Sequence, residues 1–258
     1  MITLPVIGLP VAATCYEEAV NWVVERARRH DTAYAVSAAN THVIALARSD
    51  TSFGLALSRF DLICPDGMPL VWSVNASLPK ENRLRDRVYG PTLMLHALEQ
   101  SQGQPELAHF LLGGRESTLD KLARAFAVRF PGARIAGSYS PPFGDWPDDE
   151  FDRIRGKITA SGANMIWVGL GCPKQELWIG QNKDKLPPGV YFSIGAAFAF
   201  HAGEVAQAPA CLQRCGLEWA YRVIREPRRL FRRYFTYNSL FLYYTVRDRL
   251  FGGSGRQS

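Results

Sequence analysis

No stretch of the sequence approaches the ~20 consecutive apolar residues that cross a bilayer as a helix. The best candidate, residues 239–246, is far too short, so the chain is expected to lie on a membrane at most. The apolar N-terminal stretch, residues 1–13, has no basic leader and is interrupted by Pro5 and Pro10. It does not read as a signal peptide. Cysteine is sparse: Cys15, Cys64, Cys172, Cys211 and Cys215 are odd in number and irregular in spacing, which argues against a disulfide framework. Cys211 and Cys215 could share a helix face, but no second ligand pair lies near them, so no metal site is expected. Reduced thiols in the cytosol are the simpler reading. Internal repeats and low-complexity tracts are absent. So are a P-loop lysine motif and a full dinucleotide fingerprint, because Gly169-Leu-Gly171-Cys-Pro-Lys174 has no third glycine. ATP and NAD are therefore poor candidates, and no cofactor is expected.

What is present is a balanced globular composition: 258 residues, 47% hydrophobic, 21% charged, net charge +6. The positive balance favours anionic partners such as nucleic acid, anionic lipid or phosphorylated substrates. Short apolar runs at 34–38, 62–64, 109–112, 134–137, 164–170 and 190–194 alternate with amphipathic stretches at 16–29, 51–59, 91–101, 117–129, 148–161 and 173–182. That alternation predicts an α/β, Rossmann-like fold, with a mostly parallel sheet and helices on both faces. Several runs end in glycine turns, at Gly113-Gly114, Gly137-Ser-Tyr139, Gly169–Gly171 and Gly195. Parallel sheets bind ligands beyond such strand ends, where glycine lets the backbone approach a phosphate and a helix N-terminus favours its charge.

Several polar residues fall at these ends. Asp66 follows the run Leu62-Ile-Cys-Pro and faces the expected cleft, where a general base could reach a substrate proton; an Asx turn before Gly67 is the competing reading. Asn40 can bind a substrate hydroxyl or cap the next helix. His42 reads as structural. Pro173, Lys174, Gln175 and Glu176 open a helix, with Lys174 and Gln175 expected to be exposed and suited to an anionic ligand. Asp148, Asp149 and Glu150 read as a helix first turn, where carboxylates complement the macrodipole. Ser117 reads as a helix start.

The C-terminal stretch is the least ordinary part. Residues 217–251 hold eight arginines and three acidic residues, together with Trp219, Tyr221, Phe231, Tyr234, Phe235, Tyr237, Phe241, Tyr243, Tyr244 and Phe251. Pro227 suits the first position of a new helix. If it only kinks a continuous one, Arg222, Arg225, Arg229 and Arg232 or Arg233 share a side. Phe231, Tyr234, Phe235, Asn238 and Phe241 form a second, aromatic stripe. Basic plus aromatic is the composition of an interfacial helix. The same stripe could instead pack on the domain or form a homo-oligomer interface, and arginine with interleaved aromatics also suits single-stranded nucleic acid.

Read together, Asn40, Cys64-Pro-Asp66-Gly67, Arg87-Val-Tyr-Gly90-Pro91, Leu111-Leu-Gly-Gly114, Gly137-Ser-Tyr139, Val168-Gly-Leu-Gly-Cys-Pro-Lys-Gln-Glu176, Ala202-Gly203, Ala208-Pro209 and Gly216-Leu-Glu-Trp219…Arg222…Glu226-Pro-Arg-Arg-Leu230 occur in order. This pattern, spanning about residues 36–234, resembles the WecG/TagA/CpsF glycosyltransferases. The resemblance implies inverting, metal-independent transfer from a UDP-sugar to a polyprenyl-diphosphate-linked sugar in bacterial cell-surface polysaccharide synthesis. It places the base at Asp66 and pocket contacts at Asn40, Arg87 and Gln175. The glycine-turn positions Gly113, Gly114, Tyr139, Gly171, Pro173, Lys174, Glu176 and Gly195 complete the expected donor site. Arg222, Arg225, Arg228, Arg229 and Arg232 are expected to meet the acceptor diphosphate and an anionic membrane on its cytoplasmic side. No nucleic-acid partner is then expected. The expected organisation is a catalytic unit at 1–210, a helical appendage at 211–251 and a disordered tail at 252–258. The sequence departs from the family at Ala206 and Gln207, where a basic pair is usual, and at Ala38, where threonine is frequent.

Overall fold

The computed structural model describes residues 1–209, 211–212 and 215–251, with Arg229 described in its backbone only. The expected tail at 252–258 lies outside the described residues. The chain opens with an antiparallel hairpin, β1 (Thr3–Val6) and β2 (Leu9–Ala12). Its two-residue turn, Ile7-Gly8, has positive φ at both positions, as a type I′ hairpin turn requires. Six further strands form one parallel sheet: β3 (Ala33–Ala39), β4 (Leu62–Pro65), β5 (Ala108–Gly113), β6 (Arg134–Tyr139), β7 (Met165–Gly169) and β8 (Gly189–Ser193). Their spatial order is β4-β3-β8-β7-β5-β6.

The described helices are α1 (Tyr16–Arg29), α2 (Thr41–Ser49), α3 (Thr51–Leu57), α4 (Met68–Asn75), α5 (Gly90–Gln100), α6 (Glu116–Arg129), α7 (Glu150–Ser161), α8 (Lys174–Asn182), α9 (Gly195–His201), α10 (Glu218–Arg225) and α11 (Pro227–Phe251). They cover both sheet faces, so the inner strands are near-continuous apolar runs, broken only by the buried Ser37, His109 and Ser193, rather than alternating. Every residue of β5 and of β8 is buried. In β8, Tyr191 enters the core under α2, α3 and α8, while Val190 and Phe192 enter the one under α1, α5 and α9. The expected α/β, Rossmann-like architecture is the one observed.

Helix packing depends on one close approach. A Cβ built on Gly180 of α8 would lie 2.3 Å from the carbonyl oxygen of Ala56 in α3. Gly180→Ala is therefore expected to lower stability by about 1–3 kcal/mol through overpacking, although alanine is the better helix former. Urea unfolding checks the sign; a stabilised variant would mean that α3 and α8 do not touch there.

Two helix starts differ from the sequence reading. Ser117 lies inside the first turn of α6, which begins at Glu116. α7 begins at Glu150, and Asp149 caps nothing with its side chain but pairs with Arg153 at 2.8 Å. The chain breaks at Glu226 (φ −133°, ψ 61°), so Pro227 takes the first position of a new helix, α11, as expected, and the alternative of a kinked continuous helix does not hold. The register of the arginines is reset there. α11 lies along α2: the Thr41 hydroxyl donates to Asn238 Oδ1 at 2.6 Å, and the Tyr237 ring meets the His42 ring edge-on at 4.4 Å. The aromatic stripe consequently splits. Tyr234 and Phe241 are buried, with Tyr237, Leu240 and Tyr244 packed beside them, whereas Phe231, Phe235, Tyr243, Val246 and Leu250 are exposed. No described helix is long and apolar enough to cross a membrane.

Candidate active site

The sheet order runs outward from β3 to β4 on one side and through β8 and β7 to β5 on the other. A crevice opens beyond the C-terminal strand ends at such a switch point. It holds a cavity of about 780 Å³. Strand exits supply one wall, with Asn40 after β3, Asp66 after β4, Gly171 after β7 and Gly195 at the start of α9. The C-terminal helices supply the other, with Glu218 and Arg222 from α10 and Arg233 and Arg249 from α11.

Asp66 is fixed by its backbone. Its N–H donates to the Ala39 oxygen at 2.9 Å, and its own oxygen accepts from Arg87 Nη1 at 3.2 Å. The residue keeps some exposure to the cavity, but its Oδ1 is buried and has no hydrogen-bonding partner. Burial pushes its carboxyl well above the ordinary aspartate range, a rise that the Arg87 guanidinium only partly opposes. A carboxylate held out of water is a stronger base than an exposed one.

Asn40 caps α2, with Oδ1 accepting from the His42 and Val43 amides at 3.1 and 3.3 Å, and it lines the cavity. His42 lines it too, and burial lowers its imidazole to about 4, so it is uncharged near neutrality. Arg87 is buried, with Nη2 2.6 Å from the Glu218 carboxylate and the guanidinium 4.3 Å over the Tyr89 ring.

Gln175 is buried rather than exposed. Its Oε1 accepts from the Gly171 and Gly195 amides, each at 3.1 Å, so one side chain ties two glycine turns together. Its Nε2 donates to Glu176 Oε1 at 2.8 Å. Glu176 is buried, its Oε2 has no partner, and burial raises its carboxyl above the usual range.

Other expected positions lie outside the cavity wall. A Cβ on Gly113 would meet the Gly169 backbone at 2.7 Å, so that glycine serves the β5–β7 approach. Gly114 offers its oxygen to Ser140 at 2.7 Å. The Tyr139 hydroxyl, on the edge strand, donates to Glu150 at 2.9 Å. Pro173 follows Cys172 through a cis bond. Lys174 turns away, donating to the Gly144 oxygen at 3.0 Å over the Trp146 ring. Arg225 stacks over Tyr221, and Arg228 and Arg232 are exposed. The Arg229 side chain lies outside the described residues.

Glu218, Arg233 and Arg249 carry no role in the sequence reading, yet they complete the wall. The Nε atoms of Arg222 and Arg233 are buried without a partner, leaving hydrogen-bonding capacity next to the cavity. A helix that restarts at Pro227 brings Arg233, Tyr234, Asn238, Phe241, Thr245 and Arg249 to the cavity wall, the mixed three- and four-residue spacing of one helix face. That period was available in the sequence.

The sequence profile of the Glycosyl transferase WecG/TagA/CpsF family matches residues 4–255. That is nearly the whole chain, and the chain belongs to this family.

Proposed function

We propose that this family member transfers a hexose, an N-acetylhexosamine or its uronate from a UDP-sugar to a polyprenyl-diphosphate-linked sugar, by direct displacement and without a metal ion. The observation that carries the reading is Asp66: a carboxylate with a buried, unpartnered oxygen, at a strand end, in a cavity whose opposite wall bears three arginines. Asp66 removes the proton from an acceptor hydroxyl. That oxygen bonds to the anomeric carbon from the face opposite the nucleotide, the bond from that carbon to the diphosphate oxygen breaks, and the configuration inverts. Negative charge grows on the leaving diphosphate, where preorganised cations are most effective. Arg222, Arg233 and Arg249 line the cavity, which supports that role for them, and Arg87 lies beside Asp66.

In this reading residues 1–210 hold the donor, and residues 211–251 bring the acceptor and the cytoplasmic face of a membrane to it. The exposed Phe231, Phe235, Tyr243, Val246 and Leu250 of α11 support the second role, with Arg228 and Arg232 supplying charge for anionic headgroups.

A thermal-shift panel tests the donor class. A ligand at 100 times its Kd stabilises the folded state by about 2.7 kcal/mol, so UDP and its cognate sugar conjugate are expected to raise Tm by about 5 °C or more. A Tm raised by ADP or CMP compounds and unmoved by UDP compounds would overturn the assignment.

A further inference from the structure

The buried ion pair between Arg87 and Glu218 joins residues 131 positions apart. Arg87 stands in the segment between α4 and α5, two residues before Tyr89. Glu218 opens α10, in the C-terminal segment. Its carboxylate is buried and takes two donors, Arg87 Nη2 at 2.6 Å and the Tyr89 hydroxyl at 2.9 Å. The same guanidinium rests on the Tyr89 ring and reaches the main-chain oxygen of Asp66 through Nη1. Four residues thus interlock, and one of them comes from the C-terminal helices.

A guanidinium beside an aspartate has two ways to satisfy itself. It can pair with the carboxylate, which lowers the basicity of that carboxylate, or it can pair elsewhere and leave the carboxylate available. Here Arg87 takes the Asp66 main-chain oxygen and the Glu218 carboxylate, while Asp66 Oδ1 has no partner. We propose that Glu218 is a positioning residue that couples docking of the C-terminal segment to the competence of Asp66, by holding the Arg87 guanidinium off the Asp66 carboxylate. With α10 in place, Asp66 Oδ1 stays available to accept a proton. With α10 displaced, Arg87 turns to Asp66 and silences it. The coupling rests on the reading of Asp66 as the base.

Burial does most to raise the Asp66 carboxyl, and Glu218 is the charged neighbour that adds to it. Arg87 and Arg222 lower its carboxyl, as does a hydrogen bond from the Gly90 backbone, and Glu218 raises it. Tyr16 from α1, Tyr89 from the same segment as Arg87 and Cys64 from β4 also face it, but burial raises all three, so they stay uncharged near neutrality.

The test is a ¹³C NMR titration of carboxyl carbons in the full chain labelled at aspartate, with the Asp66 signal identified by its loss in Asp66→Asn. Glu218→Gln keeps the shape and removes the charge. Its Asp66 midpoint is expected to fall by about one pH unit or more, the scale of a newly adjacent opposite charge. The acid limb of the kcat/KM profile should move down with it, and an unchanged melting curve separates this from the fall that rehydration of Asp66 through lost packing would also give. Glu218→Asp keeps the charge but shortens the reach to Arg87, so a smaller fall is expected; it serves if the glutamine variant does not fold. An Asp66 midpoint unchanged in whichever variant folds overturns the coupling. The titration needs no substrate, so it stands or falls separately from the identity of the reaction.

Discussion

Asp66→Asn is expected to lower kcat by about 100- to 10,000-fold, the usual contribution of a positioned general base. Asparagine matches aspartate in shape but cannot accept the proton. UDP-sugar affinity should be little changed, because the loss falls on the chemical step. Stability at neutral pH should hold or rise. The folded protein keeps the Asp66 carboxyl well above its ordinary range, so the ionised form costs the fold free energy that a neutral amide does not. The same shift sets the pH dependence: only the deprotonated form can act, so kcat/KM should climb with pH through the raised value and then level. Steady-state kinetics across pH, with a melting curve for each variant, check all three statements.

The paired substitution Phe231→Ser with Phe235→Ser is expected to weaken binding to anionic vesicles by about 100-fold or more. Both rings are exposed, at 60% and 67%, and they stack on each other with centroids 5.9 Å apart. Burying an aromatic ring contributes about 1.5–3 kcal/mol relative to leaving it in water, and each 1.4 kcal/mol is roughly tenfold in affinity. Neither ring belongs to the buried core, so the melting temperature should not fall. Vesicle co-sedimentation measures the effect. Undiminished binding would turn attention to Arg228 and Arg232, whose contribution high salt would reveal.

The sheet was legible because parallel strands covered on both sides are mostly apolar, and β3, β5, β7 and β8 read as such runs despite Ser37, His109 and Ser193. The N-terminal hairpin was not. Prolines stand in both of its strands, and Ile7 occupies a turn position that glycine or asparagine would have advertised. Asp66 and Asn40 could be placed because strand ends in this architecture face one crevice. Gln175 was placed at the right helix but read with the wrong exposure, since its partners are backbone amides in two other turns. Glu218 was beyond local reading altogether. Its meaning comes from Arg87 and Tyr89, which only the folded chain brings to it. A shared side for Arg222, Arg225, Arg229 and Arg232 or Arg233 required a continuous helix; with the break at Glu226 and the new helix from Pro227, Arg222, Arg233 and Arg249 line the cavity.

Acceptor-dependent release of UDP, measured side by side for the unaltered chain and Asp66→Asn, tests the central claim most directly. Turnover of the former should require a lipid-diphosphate-linked sugar, and the latter should lose at least about 100-fold at equal UDP binding. Near-equal turnover in the two proteins would contradict it.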